Sequence, residues 1–155
     1  MEIGDQQLLC RIGDIELYSR LLTGNFPKYK GIIPTTAVAV ADITTAEFVQ
    51  ALRLSYVFGQ SGITNVLMEV SEEGELSIST YGSQRGNTRN TLYAVVEEGF
   101  TPIKVPFNAK FLLDACQATG ADHLQLRFSG VTSALLVTTE EPDYIQLVMP
   151  IRLDS

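Results

Sequence analysis

The chain has 155 residues, 45% hydrophobic and 19% charged, a globular composition that excludes a disordered polypeptide. Its formal net charge of −7 excludes a protein that wraps nucleic acid with its whole surface, because such binding rests on neutralising phosphates. No apolar run reaches the roughly 18 residues of a membrane span, and residues 1–10 have no basic region ahead of an apolar core, so a cytoplasmic protein with no membrane partner is expected.

Residues 6–22, QQLLCRIGDIELYSRLL, alternate as two strands around a tight turn at Gly13 and Asp14. Leu9, Arg11 and Gly13 step along one side, which Ile15, Leu17 and Ser19 are expected to continue. TGNFPKYKGIIPTT follows, a glycine- and proline-rich connector that marks a boundary. Beyond it the pattern predicts a strand over 36–42 and a helix over 44–59. Thr44 and Glu47 form a capping box, Phe48, Ala51, Leu52 and Ser55 share one face, and Gly59 is the stop. Strands are predicted over 64–70, 75–80 and 90–97, with a turn at 72–74.

The second half repeats that order. A strand over 101–107 leads to a helix over 108–120, capped by Asn108 and stopped by Gly120. Strands over 123–129, 133–140 and 144–153 complete it. In the last, Ile145, Leu147 and Met149 alternate with Gln146 and Val148, which predicts one core face and a chain packed almost to its end. A β-α-β-β-β order run twice, without residue identity between the halves, predicts an α+β fold with antiparallel sheets and two helices on one face.

No constellation for catalysis assembles. The lone His123, beside Asp122 at a strand start, reads as polar surface, and the paired glutamates lie in turns. Cys10 and Cys116 are not at metal spacing and read as reduced, Cys116 as a buried thiol. No phosphate-binding glycine motif opens a helix. The chain is therefore read as no enzyme, with no catalytic residue, metal or cofactor. Two features call for another role. At about 100° per residue, Val57 lands opposite Phe48, and with Phe58 it forms an apolar knuckle that suits either a second core or a protein interface. The stretches NFPKYKGIIP and LVMPIRL set prolines among apolar side chains, a pattern of sheet edges that can leave a groove for an apolar peptide.

Three segments, YSRLLTGNFPKYKGIIP, FNAKFLLDACQATGAD and the terminal YIQLVMPIRL, resemble those of the bacterial sliding clamp, the beta subunit of DNA polymerase III. The resemblance runs in register over essentially the whole chain. It implies a clamp domain over 36–155, preceded by the terminal hairpin of another clamp domain (1–24) and a linker (25–35). Because the family's chain has three domains and two chains close a ring around duplex DNA, it also implies a fragment or an internal-start product.

The implied function is that of a non-catalytic processivity factor that docks short peptide motifs of polymerases and the clamp loader and helps to encircle duplex DNA. The alternative is a stand-alone truncated clamp, a peptide-binding or regulatory assembly module that does not encircle DNA. The family's peptide pocket falls here on Pro27, Ile32, Ile63, Val131, Ser133, Leu147, Val148, Met149, Pro150, Ile151, Arg152 and Leu153. Gly31 stands where many members carry a basic side chain, Asp154 and Ser155 extend past the usual terminal leucine, and the family's middle domain supplies the other pocket wall. The resemblance further implies a subunit interface at Val57 and Phe58, self-association, and a DNA-facing placement of Arg53 and Lys110.

Overall fold

The computed structural model describes residues 1–57, 64–80, 88–97, 99–140 and 144–152. They fall into two units, Met1–Lys30 and Gly31–Ser155.

The first unit is an antiparallel sheet of β1 (Glu2–Ile3), β2 (Gln7–Ile12) and β3 (Ile15–Arg20), in that order. Its hairpin turns on two residues, with Gly13 at φ +60°, the left-handed conformation such turns require. That short turn corrects the expected facing. Ile12 pairs directly with Ile15, so Leu17 lies opposite Cys10 and Ser19 opposite Leu8. Directly opposed residues share a face, so Ile15, Leu17 and Ser19 join Leu8, Cys10 and Ile12 rather than Leu9 and Arg11. The Leu9 side carries charge instead: Arg11 bonds Glu16 at 2.7 Å and Glu2 at 3.0 Å, and the Tyr18 hydroxyl donates to Glu16 at 2.9 Å. The Arg11 guanidinium, then the Tyr18 hydroxyl, hold the Glu16 carboxyl below its usual range.

The second unit runs β4 (Ala39–Thr44), α1 (Thr45–Val57), β5 (Asn65–Val70), β6 (Glu75–Thr80), β7 (Arg89–Tyr93), β8 (Val95–Val96), β9 (Ile103–Asn108), α2 (Ala109–Gln117), β10 (His123–Phe128), β11 (Leu135–Thr138) and β12 (Ile145–Val148). The doubled β-α-β-β-β order is present, in an α+β fold. The strand expected over 90–97 is broken at Ala94, whose N–H bonds the Gly74 carbonyl at 2.8 Å. The two pieces, β7 and β8, lie in different sheets.

The sheets are not the two halves. One has the order β12-β11-β10-β4-β8 and the other β7-β6-β5-β9. The leading strand of each half thus sits in the other half's sheet: β4 pairs with β10 from Ala39–Phe128 to Thr44–His123, and β9 pairs with β5 from Ile103–Val70 to Asn108–Asn65. Each helix carries the chain from one sheet to the other, and α1 packs on α2. Phe48 and Leu52 of α1, Leu112 and Cys116 of α2, Met68, Ile78, Phe107, Leu126 and Phe128 are fully enclosed in one core. Burial pushes the Cys116 thiol up to about 12, which makes it inert as a nucleophile.

Local chemistry explains the boundaries. Asn108 caps α2 by accepting from the Lys110 N–H at 2.9 Å. Ser55 lies on the buried face of α1, where its hydroxyl donates to the Ala51 carbonyl at 3.0 Å and accepts from Asn90 at 3.2 Å, so its burial leaves no unmet group. The β5–β6 turn needs Gly74: its φ is +80°, and a Cβ there would lie 2.2 Å from the Ala94 carbonyl oxygen.

Candidate functional site

Two elements build the site. Edge strand β12 pairs with β11 through Thr138–Ile145 and Leu135–Val148, and α2 packs beside it. The ladder stops before Pro150, which has no N–H to donate. The chain then crosses to the other sheet, where the Ile151 N–H bonds the Pro106 carbonyl at 3.0 Å on edge strand β9. This corrects the expected strand over 144–153. The expected facing is corrected too, for Val148 is the buried residue while Ile145 and Met149 are exposed.

Between α2 and β12 lies a groove of about 520 Å³, lined by Phe111, Asp114, Ala115, Gln146, Leu147, Val148 and Met149. Phe111 and Ala115 are four residues apart and so share a side of the helix. Phe111 is 57% exposed and Met149 61%, so two large apolar side chains line one groove that the other described residues leave uncovered. Polar groups flank them. Asp114 holds Lys110 in an ion pair at 2.6 Å, which raises the Lys110 pKa through the hydrogen bond and then the charge. Gln146 donates to the Tyr144 hydroxyl at 2.7 Å. The groove offers apolar anchorage with a polar rim and no nucleophile or acid–base pair, and among the described residues no cluster could hold a metal ion.

Of the twelve expected pocket residues, Leu147, Val148 and Met149 line this groove. Pro150 and Ile151 follow, half-buried, and Arg152 is exposed. Val131 is exposed and Ser133 half-buried in the β10–β11 connection, at the end of the sheet where Leu135 meets Val148. Ile32 is exposed in the second unit and Pro27 in the first. Ile63 and Leu153 lie outside the described residues. Val57 ends α1 and is 70% exposed, which leaves it outside the core; Phe58 lies outside the described residues. Arg53 on α1 and Lys110 on α2 are both exposed.

The family model for the DNA polymerase III beta subunit, C-terminal domain, matches residues 30–152. The chain belongs to this family. Beta sliding clamps of Staphylococcus epidermidis and Staphylococcus aureus are each 26% identical over 147 residues, 94% of this chain and 39% of theirs. The chain therefore spans about two fifths of the length of these curated relatives. The structure is similar to the DNA polymerase sliding clamp of Bacillus subtilis, with a TM-score of 0.87, 24% identity, and coverage of 98% of this chain and 40% of that one. It is likewise similar to Caulobacter crescentus pol III beta, with a TM-score of 0.87, 23% identity and coverage of 97% and 40%.

In this clamp domain the sequence reading missed Phe111, Asp114, Ala115 and Gln146 as groove residues. The available signal was Phe111, an aromatic next to the core pair Leu112 and Leu113 and one residue off the buried stripe. No helix is long and apolar enough to cross a membrane among the described residues.

Proposed function

We propose that this chain acts as the last domain of a sliding clamp: a non-catalytic, cytoplasmic processivity element that docks short apolar peptide motifs of DNA polymerases and the clamp loader. The observation that carries this reading is the α2–β12 groove, where Phe111 and Met149 stand uncovered between polar flanks in a chain of the beta subunit family. A few buried anchors supply most of the affinity for a short peptide, and the groove presents anchors of that kind. Val131, Ser133 and residues 150–152 extend the site beyond the groove, and Ile32 contributes from the connector.

In the same reading, residues 1–24 are the terminal hairpin of a preceding clamp domain and 25–35 the linker. Val57 is a subunit contact, and α1 and α2 present Arg53 and Lys110 to duplex DNA when a ring closes. A ring retains DNA by enclosure, so the acidic net charge of −7 is compatible with that role. The test is calorimetric titration of a synthetic peptide carrying leucine and phenylalanine anchors. Met149→Asp places a charge among the anchors and abolishes binding while unfolding stays cooperative; unchanged affinity sinks the assignment.

A further inference from the structure

We propose that Asp114 makes the α2–β12 groove selective for apolar peptides that carry an arginine beside their anchors. The selectivity rests on the peptide-docking reading and adds to it the charge of the occupant. Asp114 is the one charged residue among the described residues that line the groove. It lines the same groove as the exposed apolar side chains of Phe111 and Met149, so a peptide anchored on them passes its carboxylate. The other polar lining residue, Gln146, is neutral and donates its amide N–H to the Tyr144 hydroxyl at 2.7 Å.

The existing partner of that carboxylate is exchangeable. Lys110, one turn earlier on α2, donates to its Oδ2 at 2.6 Å, and both side chains of the pair are more than half exposed. Lys110 does not line the groove. An exposed pair at this helical spacing is weak, so a guanidinium arriving from the groove competes with the ammonium or shares the carboxylate with it. Arginine suits this better than lysine, because its planar fork matches the two oxygens of a carboxylate. The wider field has the same sign. In residues 1–30, Glu2, Asp5, Asp14 and Glu16 balance Arg11, Arg20, Lys28 and Lys30, so the formal charge of −7 falls on Gly31–Ser155, the unit that holds the groove. A cationic peptide is drawn to that unit and an anionic one is repelled.

The test is calorimetric titration of the full chain with the leucine–phenylalanine peptide, made with arginine, glutamine or glutamate beside the phenylalanine. At low salt the arginine peptide binds about two- to fivefold tighter than the glutamine peptide, the range of an exposed ion pair, and the glutamate peptide binds more weakly than either. The preference fades in ~0.5 M salt. Asp114→Asn keeps the shape of the side chain and removes the preference for arginine, whereas Asp114→Glu preserves it. Lys110→Ala removes the competing ammonium and widens the arginine-to-glutamine ratio by about another twofold. Lys104→Ala makes the same change of net charge on β9 and leaves that ratio in place. Arginine and glutamine peptides of equal affinity overturn the selectivity while docking stands. A preference that survives Asp114→Asn overturns it too, because the field of the whole unit then supplies it. If none of the three peptides binds, the docking reading fails and the selectivity fails with it.

Discussion

Phe111→Ala tests whether the α2–β12 groove binds peptides. A phenylalanine of roughly 200 Å² that is 57% exposed leaves roughly 115 Å² for a ligand to cover. Covering between half and all of that area is worth about 1.4–2.9 kcal/mol at ~25 cal/mol per Å², or about 10- to 100-fold in affinity. The truncation also removes the part of the ring already packed on the protein, at most about 2 kcal/mol of stability. A domain with the usual reserve of ~5 kcal/mol or more stays over 99% folded after that loss, so calorimetric titration at 25 °C reads binding alone. Phe111→Met keeps the apolar area and retains affinity within about threefold, since methionine fills irregular apolar sites. An Ala variant that binds within about twofold of the parent refutes the reasoning, because the ring would then stand outside the contact.

Gly74→Ala destabilises the second unit by at least about 2 kcal/mol in chemical denaturation, since the new Cβ meets the Ala94 carbonyl oxygen at 2.2 Å on a backbone at φ +80°. Asn108→Ala removes the cap on the Lys110 N–H and costs about 1 kcal/mol, measured the same way. Glu69 is bonded to Lys104, which holds its carboxyl below the ordinary 4.5. A lowered folded pKa contributes stability above the unfolded value that is lost as pH falls through the folded one, so Glu69→Gln makes the stability profile flatter below about pH 4.5, by about 0.5–1 kcal/mol, in urea melts from pH 6 to pH 3.

The groove was half legible. LVMPIRL pointed to Leu147, Val148 and Met149 because a proline among apolar residues near a strand end marks an edge with side chains to spare. Phe111 was hidden, because helical periodicity identifies the buried stripe of Ala109, Leu112 and Cys116 but not what faces its flank. That depends on β12 lying alongside, a neighbour some 30 residues away in the chain. The facing of Ile145 and Met149 failed for the same reason: alternation separates two faces of a strand but does not say which one meets the core.

The sequence by itself determined most of the elements, though not the break at Ala94 or the end of β12. Asn108 places the start of α2, Gly74 the β5–β6 turn, and the spacing of Phe48, Ala51, Leu52 and Ser55 the buried face of α1, because these depend on backbone and side-chain chemistry within a few residues. Only the tertiary structure decided that β4 pairs with β10 and β9 with β5, so that each half completes the other's sheet. Strand pairing is made by backbone groups that every residue carries, and the partner of Ala39 is Phe128, a choice settled by which arrangement encloses both helices in one core. That exchange leaves β12 at one sheet edge and β9 at an edge of the other, where the terminal segment bridges them and the groove beside α2 stays open.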